Sequence, residues 1–263
     1  MKKIKVAAVQ MNSGSDVIKN FESIKGFVEA SAKLKAGLLV FPEYCFYRGK
    51  ALGLAAAAEF VRKKAHPALE SLAKKHSLCI VAGSAPEAAA GKNKFYNTSF
   101  VLNSGGTKAV KYKKIHLFRA HADRKIDECG IYKPGKTISV FPFKGRRIGQ
   151  ALCFDLRFSS LFQSLSDKGA DAVVMPSDFT AITGKAHWQT LVRARSIEWQ
   201  IFMICPNQWG RSPSTGALSY GHSIVTDPWG KIIAEAPARG NRLLMTELDL
   251  DLQKQVRRRI LMR

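Results

Sequence analysis

Apolar residues in the first half of the chain alternate between strand-like and helix-like spacing. Ile4–Gln10 alternates as a strand, and LLVF and LCIVAGS are short apolar runs typical of buried strands. Residues 55–64 and 67–75 predict a helical region between those two runs. A first helix, capped by Ser15 or Asp16, is predicted where apolar residues recur at helical spacing: Val17, Phe21, Ile24, Phe27 and Val28.

The second half repeats this alternation. A strand that ends at Cys153 precedes a helix over Ser160–Lys168, and the strand DAVVMPS precedes a helix over Ala186–Trp199. The strand IFMICPN follows, and RLLMTELDL with a short basic helix closes the chain. The turn residues Asp227–Gly230 predict a hairpin in this half.

A hairpin and a long loop are predicted in the middle of the chain. Thr98–Asn103 and Thr107–Tyr112 are β-rich and are joined by Ser-Gly-Gly, which is a hairpin signal. Arg119–Lys136 is polar and without a clear period, so it is predicted to be a loop. Loops of that length inside a compact domain are usually functional.

The whole pattern predicts a single α/β domain over residues 1–263. No low-complexity linker or change of composition divides the chain. Two halves with βαβ units, together with the hairpins, predict two stacked sheets with helices outside.

Composition narrows the cell compartment and the partners. No run of about 18 apolar residues is present, so the sequence predicts no membrane span. The start MKKIKVAAVQ is interpreted as a first strand of a cytoplasmic protein. Five scattered cysteines without a CxxC motif argue against a disulfide framework or a zinc site. The net charge of +22 favours anionic partners, but the even spread of the basic residues along the chain argues against nucleic-acid binding.

Three reactive residues each follow a strand-like segment, namely Glu43, Lys114 and Cys153. Sites at such strand ends are the rule in α/β proteins. Glu43 is suited to take the thiol proton of Cys153 and pass it to a departing amine. Lys114 and the backbone N–H of Phe154 are suited to stabilise the oxyanion that forms when sulfur attacks an amide or a nitrile.

These residues and their contexts resemble the nitrilase superfamily of carbon–nitrogen hydrolases. FPEY is similar to the glutamate motif of that family, YKKIHLF to its lysine motif and GQALCFDLRF to its cysteine motif. Glu128, followed by Pro134-Gly135, matches the second glutamate of the family. The resemblance implies a four-layer α-β-β-α sandwich, a thioester on Cys153, no cofactor or metal, and a homodimer or larger homo-oligomer.

The resemblance is strongest to the branch that acts on deaminated glutathione, followed by the omega-amidases. It implies a small, anionic amide as the substrate, with Arg157 matching a position that binds a substrate carboxylate in carbamoylase relatives. An N-carbamoyl-amine hydrolase, an aliphatic amidase and a catalytically idle scaffold that binds partners are the alternatives. The chain departs from the family at Ser159-Ser160, Arg119 and Cys129.

One nucleotide-binding motif occurs by its letters alone. Gly130–Thr137 satisfies GxxxxGK[ST], but a phosphate-binding loop needs a buried strand before it and a helix after it. A polar segment precedes this motif and the β-patterned ISVFPF follows it, so nucleotide binding is not predicted.

Overall fold

Two β-sheets lie back to back at the centre of the structure, and helices cover their outer faces. The computed structural model describes residues 3–90, 94–121 and 125–262. Its α-helices are α1 (Val17–Lys33), α2 (Leu54–Phe60), α3 (His66–His76), α4 (Ser159–Asp167), α5 (Ala181–Trp199) and α6 (Leu250–Arg259). Its strands are β1 (Lys3–Gln10), β2 (Leu38–Val40), β3 (Cys79–Val81), β4 (Ala85–Ala88), β5 (Phe95–Leu102), β6 (Lys108–Lys113), β7 (Arg119–His121), β8 (Lys125–Asp127), β9 (Val140–Phe143), β10 (Arg146–Gln150), β11 (Ala172–Val174), β12 (Phe202–Cys205), β13 (Trp209–Arg211), β14 (Leu218–Tyr220), β15 (Ile224–Thr226), β16 (Ile232–Glu235) and β17 (Arg242–Asp249).

Each large sheet has a parallel centre and antiparallel edges. In the described residues the first sheet has the order β17-β1-β2-β3-β5-β4, with β6 also pairing β5. The second has the order β16-β15-β12-β11-β10-β9. The strands β1, β2 and β3 are parallel, as are β10, β11 and β12. Their carboxyl ends therefore gather at one edge of each sheet, where a site is expected.

Three layers of apolar side chains hold the sandwich together. Small and branched residues of both sheets fill the space between them, including Val6, Leu38, Val174 and Ile204. A second cluster packs α1 and α3 on the first sheet, and a third packs α4 and α5 on the second. Burying one such aliphatic side chain contributes about 1.5–3 kcal/mol. The predicted α-β-β-α layering is confirmed.

The first helix begins where its cap predicts. Asp16 Oδ1 accepts hydrogen bonds from the N–H groups of Ile18 and Lys19, at 2.9 and 3.0 Å. The side chains of Phe21, Ile24 and Val28 are buried on one face of α1. A capping carboxylate of this kind stabilises a helix by about 1 kcal/mol.

Helix α5 starts earlier than the predicted Ala186. Thr180 caps it, and Gly184 lies within its first turns, where the sequence pattern disfavours a helix. The glycine is required because a Cβ at this position would lie 2.3 Å from the Tyr220 ring. Close packing against Tyr220 therefore outweighs the weak helix propensity of glycine.

The stretch predicted to be a loop over Arg119–Lys136 contains short regular elements. Strands β7 and β8 pair as an antiparallel ribbon, and a 3-10 helix spans Glu128–Gly130. Residues 122–124 lie outside the described residues. The strands are three residues long and largely polar, so they produce no readable period.

In the segment that satisfies the phosphate-loop motif, Gly135 has a packing role. No helix follows Thr137, and the next described element is strand β9. A Cβ on Gly135 would lie 2.1 Å from the carbonyl oxygen of Lys113, and the Gly135 N–H donates to the Lys114 carbonyl at 2.7 Å. The glycine thus lets this segment press against the backbone that carries Lys114.

None of the helices in the described ranges combines the length and the apolar character needed to cross a bilayer.

Candidate active site

Strand ends from both sheets bring the three predicted residues to one cavity. Glu43 follows β2 after the short link Phe41-Pro42, and Lys114 follows β6 directly. Cys153 comes shortly after β10 in the facing sheet and begins a 3-10 helix over Cys153–Arg157. All three side chains, together with Glu128, line the same cavity of about 360 Å³.

Lys114 is a buried cation held between two carboxylates. Its Nζ lies 2.8 Å from Glu43 Oε1 and 2.9 Å from Glu128 Oε2, and its side chain is 0% exposed. Burial alone would lower the pKa of Lys114, but Glu128 and Glu43 raise it well above its usual value. Lys114 is therefore a permanent positive charge next to Cys153.

Glu43 lies in an almost closed environment. Its Oε1 also accepts a hydrogen bond from Asn97 Nδ2 at 2.8 Å, and Gln208 Nε2 donates to its backbone carbonyl at 2.8 Å. Burial raises the pKa of Glu43 to about 7, although Lys114 acts to lower it. A carboxylate with a pKa near neutrality is suited to take up and release a proton.

Glu128 is fixed by donors on three sides. Besides Lys114, the backbone N–H of Phe118 donates to its Oε2 at 2.6 Å, and the Tyr44 hydroxyl donates to its Oε1. Burial and the nearby carboxylate of Glu128 raise the pKa of Tyr44 well above its usual value, so the phenol stays protonated. This network holds the second carboxylate rigidly against the lysine.

Cys153 lies on a strained turn. Its φ is +44°, a left-handed conformation that costs a non-glycine residue about 1–2 kcal/mol. The turn is stabilised by the Cys153 N–H, which donates to the Pro176 carbonyl at 3.0 Å, and by the Leu152 N–H, which donates to Asp155 Oδ2 at 2.8 Å. Strain that is held in this way is typical of functional positions.

The Cys153 thiol is protonated in the resting site. Burial and the negative charge of Glu43 raise its pKa well above the usual value, against the opposing effect of Lys114. The backbone N–H of Asp178 donates a hydrogen bond to the sulfur and also favours the thiolate. The thiol therefore needs a base at the moment of attack, rather than ionising beforehand.

A buried aspartate links the lysine segment to the cysteine turn. Asp155 is 0% exposed and accepts from the Tyr112 hydroxyl at 2.7 Å and from the His116 N–H at 3.0 Å. The His116 ring contacts Asp155 through Nδ1 at 2.7 Å and stacks on Phe158. His116 thus has a hydrogen-bonding and packing role beside the cysteine turn.

Arg157 does not line the main cavity. Together with Cys153 it lines a small recess of about 10 Å³ that shares Cys153 and Asp178 with the main cavity. Its guanidinium lies 5.8 and 5.7 Å from the rings of Phe154 and Phe179, and its Nη2 is 3.2 Å from His187 Nδ1. Phe154 is the second residue of the 3-10 helix, where the first N–H groups have no partner within the helix.

The cavity lining carries both signs of charge and is not basic. Four carboxylates and three cations of the described residues line it: Glu43, Asp127, Glu128 and Asp178, with Arg48, Lys50 and Lys114. The Lys50 side chain has no ion pair within the described part of the chain, and the residue is exposed at the cavity entrance. The lining also includes serine and threonine residues, at Ser212, Ser214, Thr215 and Ser219.

Asp178 and Arg48 belong to the site, although neither was predicted from the sequence. Asp178 comes shortly after β11, which is the parallel neighbour of β10. Parallel strands end at the same edge, so the placement of Asp178 beside Cys153 was readable from DAVVMPSD. The position of Arg48 in the site could not be predicted in this way, because Arg48 lies in the loop after Glu43 and not at the end of a strand.

No cluster of three or more metal-ligating side chains occurs in residues 3–90, 94–121 and 125–262. The arrangement provides a buried thiol, a base with a pKa near 7 and a fixed cation within one small cavity.

Comparisons with known proteins find one family and several relatives that match nearly the whole chain. A model of the carbon–nitrogen hydrolase family matches residues 5–258. Omega-amidase NIT3 of Saccharomyces cerevisiae is 33% identical over 98% of this chain and 91% of its own length. A deaminated glutathione amidase of Synechocystis is 30% identical over 99% of this chain and 97% of its own. The crystal structure of Saccharomyces cerevisiae Nit3, of branch 10 of the nitrilase superfamily, superimposes with a TM-score of 0.86 at 30% identity, covering 99% of this chain and 95% of that one.

Proposed function

The chain belongs to the carbon–nitrogen hydrolase family, and we propose that it is an amidase that uses Cys153 as its nucleophile. As a member of this family it is a hydrolase of carbon–nitrogen bonds other than peptide bonds. The observation that carries the proposed mechanism is the buried Glu43–Lys114–Glu128 cluster beside the Cys153 thiol. A homo-oligomeric assembly and a cytoplasmic location stay predictions.

In the first half of the proposed reaction the Cys153 sulfur attacks the amide carbon. Glu43 takes the thiol proton as the S–C bond forms, since its carboxylate is partly ionised near pH 7. Lys114 and the Phe154 N–H stabilise the negative oxygen of the tetrahedral intermediate. Glu43 then gives its proton to the leaving nitrogen, the C–N bond breaks, and a thioester remains on Cys153.

In the second half a water molecule replaces the released amine. Glu43 accepts a proton from this water as the oxygen attacks the thioester carbon, and the S–C bond then breaks. The thiolate regains the proton from Glu43, and a carboxylic acid product leaves. Glu128 keeps Lys114 in place through both halves, supported by Tyr44 and the Phe118 N–H.

We propose a small ω-amido acid as the substrate, meaning a carbon chain with an amide at one end and a carboxylate at the other. Omega-amidases and a deaminated glutathione amidase are among the relatives. A cavity of about 360 Å³ suits a small molecule. Lys50 at the entrance is the better placed cation for the carboxylate, because Arg157 lies in the narrow recess between two rings.

An ammonia-release assay tests this function. We expect turnover of the monoamide of glutarate and of 2-oxoglutarate, and weaker turnover of the same compounds with the carboxylate esterified. Butyramide and an N-carbamoyl amine complete the panel, since they represent an aliphatic amidase and a carbamoylase. Preferred hydrolysis of either of these two compounds would contradict the proposed substrate, and no release from any compound would favour an idle scaffold.

The rate of this reaction should depend on pH through Glu43. The folded pKa of Glu43 is about 7, so the base is protonated and inactive below that pH and ionised above it. The value of kcat/KM for an amide that does not titrate should therefore fall tenfold per unit well below pH 7. The pKa of Lys114 is raised, so the plateau should extend above pH 9. A profile that is flat from pH 5 to 8 would contradict the role of Glu43.

A further inference from the structure

Asp178 presents a carboxylate on the wall of the cavity beside the nucleophile. It lines both the main cavity and the small recess, as Cys153 does. Its side chain is 11% exposed, whereas the side chain of its partner Arg48 is 1% exposed. Arg48 and Asp178 both line the cavity, and the carboxylate is the more accessible group of the pair.

Arg48 uses all of its donors within the protein. Its Nε and Nη2 donate to Asp178 Oδ2 and Oδ1 at 2.8 and 3.0 Å, and Nη2 also donates to Ser219. Its Nη1 donates to Asn12 Oδ1 at 3.2 Å and to the Trp209 carbonyl at 3.3 Å. A guanidinium has five N–H groups, so Arg48 has none left for an anionic substrate group.

Asp178 keeps acceptor capacity that the protein does not use. An ionised carboxylate has about four lone-pair positions and no donor. Arg48 occupies one position on each oxygen, and the Ser219 hydroxyl donates to Oδ1 as well. Within the described residues Oδ2 has Arg48 as its only hydrogen-bond partner, and Asp178 is a lining residue of the cavity.

We propose that Asp178 determines specificity by accepting a hydrogen bond from a hydroxyl or ammonium group on the carbon chain of the substrate. The proposal rests on the amidase function above and refines its substrate class. Lys50 at the entrance takes the distal carboxylate, and Asp178 takes the donor group that lies between that carboxylate and the scissile amide. A ketone at the same carbon has only lone pairs to offer, so it gains nothing from Asp178.

Four monoamides of glutarate test this proposal, namely the unsubstituted compound and its 2-hydroxy, 2-amino and 2-oxo derivatives. We expect kcat/KM of the natural sequence to be about ten- to hundredfold higher for the hydroxy or the amino compound than for the unsubstituted one, since hydrogen bonds to charged groups are strong. Preference for the 2-oxo compound over both donors, or equal rates for all four, would overturn the proposal.

Two variants test whether Asp178 causes such a preference for substrates that carry a donor. Asp178→Asn keeps the shape but removes the charge, so the preference for the amino compound should collapse. The double variant Arg48→Met with Asp178→Ala removes both charges together and leaves no buried guanidinium without a partner. In it the ratio of donor-bearing to unsubstituted substrate should fall to about twofold or less, if the whole preference came from this hydrogen bond.

The ratio of rates separates specificity from damage to the fold. Loss of turn geometry near Cys153 would lower all four rates alike, whereas loss of an acceptor changes their ratio. A ratio that persists in both variants would overturn the role of Asp178. Absence of hydrolysis of all four compounds by the natural sequence would overturn the proposed function itself, whereas hydrolysis of the unsubstituted amide without a donor preference would overturn this inference alone.

Discussion

Replacing Cys153 with alanine should abolish ammonia release while leaving the fold intact. The sulfur is the atom that forms the thioester, so turnover should fall by at least about 10⁴-fold. Intact mass of the natural protein quenched during turnover should show the acyl group, and the same measurement on the variant should show none. The removed side chain is small and buried, so the free energy of unfolding should fall by no more than about 1–2 kcal/mol.

Cys205→Ala is a matched control for this loss. Cys205 is 0% exposed, belongs to the same apolar cluster as Cys153 and lies on β12. Burial is the reason its thiol pKa is raised, and it does not line the cavity. The control variant should lose comparable stability yet keep turnover and acylation. Full turnover by Cys153→Ala, or equal loss in both variants, would contradict the thioester mechanism.

The layers of the fold were predictable because buried strands and amphipathic helices have different patterns of apolar residues along the chain. The strands around Val6 and Leu38 are apolar on both faces, as expected for strands covered by helices on one side and by a second sheet on the other. Helix α1 begins at its cap. The elements that escaped prediction are short or irregular, and they include β4, whose four residues contain Pro86, the ribbon of β7 and β8, and the ribbon of β13 and β14.

The candidate site was predictable only in part, because hydrogen-bond partners are set by the tertiary structure. Glu43, Lys114 and Cys153 follow strands, and their meeting at one cavity follows from sheet geometry. The pairing of Arg48 with Asp178 joins residues from the two halves of the chain, and no local pattern indicates it. The net charge of the chain does not indicate the charge of the cavity, because the lining of this strongly basic chain carries four carboxylates.

Replacing Lys114 with methionine should remove both catalysis and a large part of the stability. The variant leaves the carboxylates of Glu43 and Glu128 buried without their shared cation, which costs about 3–5 kcal/mol. Loss of the oxyanion cation should lower kcat by about 10³-fold. Ammonia release and urea-induced unfolding measure the two effects.

The loss of stability in Lys114→Met should be larger at high pH than at low pH, because the carboxylates that it leaves unpaired are ionised at high pH. Without Lys114 the pKa of Glu43 rises further above 4.5, its value when unfolded, so the folded state binds more protons. The variant should therefore be most destabilised at pH 8 and recover part of its stability toward pH 5.

Lys113→Met is the matched control, because Lys113 is partly exposed and pairs loosely with Glu87 at 3.7 Å. It should change stability by less than about 1 kcal/mol at both pH values. A deficit of Lys114→Met that is equal at pH 5 and pH 8 would contradict the buried charge cluster as its cause.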